Sequence, residues 1–116
     1  MGNSDLIEFL QFGKGLSMAY EFKIGHVVHH RRYDYYGVIF HADGSCKADD
    51  KWYYRNKTQP NRQQPWYNVL VDGGSETYVA EENLEFDRTG KKIKHPMLSQ
   101  MFLSYHDGRY FQMSLN

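Results

Sequence analysis

The stretch from Pro65 to Leu84 reads PWYNVLVDGGSETYVAEENL and has the pattern of a β-hairpin. Gly73 and Gly74 stand side by side between two apolar runs. Glycine reaches positive φ without a Cβ clash, so a tight turn fits there. A two-residue loop at Gly73-Gly74 would pair Val71 with Glu76, Leu70 with Thr77, Val69 with Tyr78 and Tyr67 with Ala80. Because side chains alternate along a strand, one face would carry Tyr67, Val69, Val71, Tyr78 and Ala80. The other would carry Trp66, Leu70 and Val79 with Asn68 and Thr77. Neither face is polar, which predicts a central hairpin with something packed on each side.

Upstream, Ser45 to Gln64 is long, polar and poor in aliphatics, with the aromatic trio Trp52-Tyr53-Tyr54 inside it. Loops of this length are uncommon in small domains and often functional. One helical turn is expected within it, near Asp49 to Tyr54. Further back, His26 to Tyr33 and Val38 to Ala42 read as two strands, interrupted at Tyr35-Tyr36-Gly37 and closed by Asp43-Gly44. Ser4 to about Met18 has helical character, with Asp5 and Glu8 at capping spacing. Downstream of the hairpin, a helical turn over Ala80 to Leu84 precedes a short strand, Leu84 to Phe86. Pro96 suits the first position of an amphipathic helix carrying Leu98, Met101, Phe102 and Tyr105, and Asp107-Gly108 ends it before a last strand from Arg109. The expected layout is a helical segment or linker over 1–21 and a mainly β domain over 22–116.

The 116 residues suit one domain. Lys plus Arg and Asp plus Glu number 14 each, so no whole-molecule field draws the chain to nucleic acid or anionic lipid. Cys46 is the single cysteine, which excludes an internal disulfide and a cysteine zinc cluster and fits a reducing compartment, cytoplasmic or nuclear. No apolar run approaches membrane-spanning length.

Catalytic and metal chemistry find little support. His26, His29 and His30 invite a metal reading, but in a strand His26 and His30 share one face while His29 faces the other. Cys46 has His41 upstream yet no orienting group at a fixed spacing, and no phosphate loop, serine elbow or dinucleotide fingerprint is present. The expectation is a non-catalytic chain without a metal or cofactor. Two stretches favour binding instead. His29-His30-Arg31-Arg32 is interleaved with Tyr33, Tyr35 and Tyr36, and Lys51 to Arg62 repeats the mixture with Trp52, Tyr53, Tyr54, Arg55 and Lys57. Such surfaces supply aromatic and arginine anchors to a protein partner, or stack bases and hold phosphates. Trp66, Tyr67 and Tyr78 are the rings first assigned to the core, Trp52 and Tyr53 those assigned to an interface.

Several of these pieces, in this order, resemble the YccV-like family, also known as the hemimethylated-DNA-binding or heat-shock protein Q domain. They are Phe22-Lys23-Ile24-Gly25 with Val28-His29, Tyr35 to Ile39, Trp52 after an acidic pair, Gln64 to Val71, and Tyr78 to Leu84. The Arg32-Tyr33-x-Tyr35 run and the segment after His95-Pro96 resemble its eukaryotic F-box branch. The resemblance implies a small SH3-like antiparallel β-barrel with a short helix at each end. It further implies recognition within protein turnover, as an adaptor in a ubiquitin ligase or related protease machinery, with DNA binding as the alternative. The residues expected to meet a partner are Arg31, Arg32, Tyr33, Tyr35, Trp52, Tyr53 and Arg55.

Overall fold

The hairpin forms, but its return strand sits one residue away from the expected register. In the computed structural model, which describes residues 20–112, Trp66 pairs with Ala80, Tyr67 with Val79, Asn68 with Tyr78, Val69 with Thr77 and Leu70 with Glu76. The loop is Asp72-Gly73-Gly74: Val71 N–H donates to Ser75 O at 2.8 Å and Gly74 N–H to Val71 O at 3.0 Å. Gly73 and Gly74 take φ of 110° and 122°. A slip of one residue sends every side chain of a strand to the opposite face. Val79 and Thr77 therefore join Tyr67 and Val69, while Tyr78 and Ala80 lie with Trp66. Two adjacent glycines admit either loop length, so packing decides. The observed register puts Val79 into a buried cluster with Tyr67, Val69, Ile39, Val28, Phe22 and Leu84.

In chain order the elements are β1 (Val27–His30), β2 (Tyr36–Asp43), α1 (Asp50–Arg55), β3 (Trp66–Val71), β4 (Glu76–Ala80), a 3-10 turn (Glu81–Asn83), β5 (Leu84–Phe86), α2 (Leu98–Met101), β6 (Ser104–His106) and β7 (Arg109–Phe111). The fold is mainly β with two short helices. β1 to β5 form one five-stranded antiparallel sheet in the order β4-β3-β2-β1-β5, and β6 with β7 a separate hairpin. β2 is the longest strand and changes register against β3 between Ile39 and His41, a bulge that bends it.

The sheet is strongly curled. β4 and β5 lie at its two edges, yet only Glu81–Asn83 separates them in the chain. Edges of a flat sheet of this order would stand about 19 Å apart at roughly 4.8 Å per strand, whereas the link reaches about 14 Å. Among the described residues no pairing joins β4 to β5, so the ladder does not close into a barrel and a seam stays open beside β4.

The inner face of the sheet holds the Tyr67 cluster. Its outer face is divided. At the Leu70 end, Val27, Val38 and Leu70 are covered by Ile93, Phe102 and Tyr110 of the C-terminal segment. That segment is tied down: Tyr110 N–H donates to Gly25 O at 2.8 Å, Ile93 N–H to the Tyr110 hydroxyl at 2.9 Å, Lys94 N–H to Asp72 Oδ1 at 2.7 Å and Gly73 N–H to Lys94 O at 2.9 Å. At the Trp66 end, Trp66 and Ala80 pack with Tyr53 of α1. The helix expected after Pro96 is shorter than its apolar spacing suggests. Its last intrahelical bond runs from Phe102 N–H to Leu98 O, and Tyr105 belongs to β6, whose turn to β7 uses the positive φ of Asp107 and Gly108. The N-terminal helix expected from Ser4 to Met18 lies outside the described residues.

Candidate functional site

The long segment between β2 and β3 is held in shape by its own polar contacts. Asp49 caps α1, its Oδ1 accepting from Trp52 N–H at 2.8 Å, and this satisfies a donor the first helical turn leaves free. The helical turn then points Tyr53 inward. Its hydroxyl donates to Pro60 O at 2.7 Å, and the Arg62 guanidinium lies 4.4 Å from its ring centroid. Arg62 in turn donates to Asp50 Oδ1 at 2.6 Å and to Ala48 O at 2.7 Å. One position earlier, Trp52 is half-buried and turns edge-on to Trp66 and Tyr78, with centroids 6.2 Å and 5.7 Å away. The Tyr78 ring is fixed by its hydroxyl, which donates to Asp43 Oδ2 at 2.7 Å and accepts from Lys47 N–H at 3.0 Å. Burial and the Asp43 contact hold that hydroxyl well above its ordinary pKa.

Across the open seam stands the turn from β1 to β2. His30 is buried, 3% exposed, with its imidazole between two tyrosines: Tyr33 stacks at 4.8 Å and Tyr35 lies tilted at 4.9 Å. His30 Nδ1 accepts from both Arg32 N–H and Tyr33 N–H, at 3.1 Å and 3.0 Å. Two donors on Nδ1 require its lone pair, so the neutral ring carries its proton on Nε2. Burial, then the neighbouring His29 and Arg32, push the His30 pKa down and keep it neutral. Its neighbour behaves oppositely. His29 has Glu85 Oε2 on Nδ1 and Asp34 Oδ1 on Nε2, each at 2.7 Å, and these carboxylates, Asp34 foremost, push its pKa up. The clamp on Asp34, at φ 56°, helps fix the turn that presents Tyr33.

These two walls enclose a pocket of about 370 Å³, within the range of small binding sites. His30, Tyr33 and Tyr35 line one side, Trp52, Asn56, Lys57, Thr58 and Pro60 another, and Trp66, the β4 residues Thr77 to Ala80 and Asn83 the floor. No carboxylate is among them, and Lys57 is the single charged side chain.

The structure thus joins the two basic-aromatic stretches through Tyr33, Tyr35 and Trp52. It does not bring in the rest. Tyr53, expected at the surface, is a core residue at 6% exposure, because α1 turns it under Arg62. Arg31 is exposed but tied back, its Nε–H donating to Leu84 O at 3.2 Å. Arg32 and Arg55 are exposed and lie outside the pocket lining. Sequence reading missed His30 as a pocket residue. It also placed Trp66 and Tyr78 in the core without seeing that they form a pocket floor as well. Two tyrosines within five positions of a histidine were the available signal for His30. Among the described residues no group of His, Cys, Asp and Glu could hold a metal ion, and no helix is long and apolar enough to cross a membrane.

A curled antiparallel sheet with a built aromatic pocket defines a small β-rich domain. The family described as "Hemimethylated DNA-binding protein YccV like" matches residues 20–109, and the chain belongs to it. F-box only protein 21 of Mus musculus is 37% identical over 93 residues, covering 77% of this chain and 15% of the relative. F-box only protein 21 of Pongo abelii and of Homo sapiens are each 36% identical over the same length and the same shares. The chain therefore spans about 15% of the length of the curated relatives it matches.

Proposed function

We propose that this chain is a non-catalytic protein-recognition module, the client-binding part of an F-box-type ubiquitin-ligase subunit acting in the cytoplasm or nucleus. One observation carries the reading. Side chains from the β1–β2 turn, the α1 segment and β4 converge on a single aromatic-walled pocket without a carboxylate. Large rings held in place by buried hydrogen bonds are the usual anchors of protein interfaces. The module is taken to span residues 22–116, with 1–21 as a linker or helical segment, and the curled sheet to be an SH3-like barrel opened along the seam that holds the pocket.

The test is capture of ubiquitin-ligase clients from cell extract by the chain and by its Trp52→Ala and Tyr33→Ala variants, with folding checked by near-UV dichroism. Folded variants that lose the clients support the reading; folded variants that keep them move the site elsewhere. The family's description favours a second reading, DNA, for which the exposed Arg31, Arg32, Arg55 and Lys57 would supply phosphate contacts. A titration with hemimethylated duplex at several salt concentrations separates the two. Phosphate contacts require a log–log slope of about −0.9 per phosphate neutralised.

A further inference from the structure

The pocket floor is also the free edge of the sheet. β4 pairs only with β3 among the described residues, and antiparallel partners alternate between bonded and non-bonded pairs. Ser75 O and Glu81 N–H both engage the β3 side, the latter through Pro65 O at 2.9 Å. By that alternation Thr77 and Val79 also turn their backbone groups toward β3. Tyr78 and Ala80 turn theirs outward; Ala80 is covered, 1% exposed, whereas Tyr78 is half-buried and lines the pocket. Backbone donors and acceptors are thus presented at the same opening as the aromatic walls. A third polar group joins them. With His30 Nδ1 occupied by the chain, Nε2–H lies on the opposite edge of a ring that lines the pocket and has no hydrogen-bond partner among the described residues.

The geometry points to strand addition: an extended segment of a protein partner pairs with the backbone N–H and C=O of Tyr78 at the β4 edge. It lays one large aromatic side chain against Tyr33, Trp52 and Tyr78 and offers an acceptor oxygen to His30 Nε2–H. This rests on the protein-recognition reading of the same pocket. An unpaired sheet edge is a template for an incoming strand, with main-chain bonds supplying affinity and an adjoining pocket supplying choice. The volume suits one aromatic side chain with part of its backbone. Charge narrows the class further. Aromatic walls attract cations, but here Lys57 stands among them with no carboxylate to offset a second positive charge. The segment is therefore neutral or acidic around its aromatic residue, not a basic or methylated-lysine peptide.

A library of random twelve-residue peptides displayed on phage, selected against the full chain, tests this directly. Selected peptides should share one aromatic residue with neutral or acidic flanks. On binding, the amide hydrogen of Tyr78 should exchange at least about tenfold more slowly, and N-methylation of the paired peptide backbone should weaken binding about tenfold. A library yielding no binder, or a basic consensus, overturns the proposal. So does a binder that leaves the Tyr78 amide unprotected. If such a binder is nevertheless lost with Tyr33→Ala, whose ring lies on an exposed turn, the pocket reading survives and only strand addition fails. A binder equally tight on folded Tyr33→Ala and Trp52→Ala defeats both, and displacement of the peptide by a short DNA duplex with steep salt dependence replaces both with the nucleic-acid reading.

Discussion

The outer face of the sheet presents two apolar patches with different fates. At the Leu70 end, the C-terminal segment lays Ile93, Phe102 and Tyr110 over Val27, Val38 and Leu70 and seals them. At the Trp66 end, α1 supplies Tyr53 but leaves Trp52, Trp66 and Tyr78 walling a cavity. The two ends also differ in residue type, aliphatic under the seal and aromatic around the cavity. Aliphatic side chains offer only contact, whereas tyrosine and tryptophan carry a polar tip that can fix the ring while its face stays accessible. Here the Tyr78 hydroxyl is fixed by Asp43 and Lys47, and Trp66 Nε1–H donates to Asn61 O at 3.3 Å. A pocket can stay open without collapsing when its walls are hydrogen-bonded from behind.

The division can be broken from either side. Leu70→Ala, at a fully buried position of the sealed end, should cost about 2–5 kcal/mol in urea unfolding. Peptide affinity of the molecules that remain folded should stay unchanged. Gly25→Ala would place a Cβ 1.9 Å from Tyr110 O at a φ of 92°, so it should unseat the β6–β7 hairpin at a cost of about 1–3 kcal/mol. Amide exchange should quicken at Tyr110 and Leu103 and stay slow in β3. Tyr78→Phe removes the hydroxyl anchor while keeping the ring; about 1 kcal/mol of stability should go, with a larger proportional loss of pocket affinity than Leu70→Ala shows.

The smallest effect is a pH dependence carried by two adjacent histidines. His29, raised above 6.5 by Asp34 and Glu85, adds stability that is fully present below 6.5 and lost as pH rises through its folded value. His30, lowered from 6.5 by burial, works in the other direction: its neutral site is undisturbed above 6.5, and stability falls as pH drops below it. Unfolding midpoints of His29→Gln from pH 5 to 8 should therefore lose the wild-type decline on the alkaline side. A variant whose profile matches wild type would remove His29 from the account.

Much of the architecture was legible because strand character is local. Alternating apolar residues located β2, β3 and β4, Asp49 marked the start of α1, and Asp107-Gly108 marked the final turn. Register was not legible. Tyr78 and Val79 are both large and apolar, so the pattern could not say which one faces Tyr67, and Gly73-Gly74 allows two loops. The two binding stretches were visible as composition, but their union depends on the curl of the sheet, which brings His30 beside Trp66 and Tyr78. Tyr53 looked like a surface residue because the segment around the aromatic trio is polar. A single helical turn, with Arg62 arriving from later in the chain, was enough to bury it.

The tether between Gly73, Asp72 and Lys94 has a consequence for how the chain comes to exist on the ribosome. Synthesis proceeds from the N terminus, and every pocket-lining residue, His30 to Asn83, is made before Ile93, Phe102 and Tyr110. The nascent hairpin thus emerges with its recognition end complete in sequence and its Leu70 end bare. The hairpin tip, through Asp72 and Gly73, hydrogen-bonds that later segment, so the Leu70 end can be covered only after Ile93, Phe102 and Tyr110 have been made.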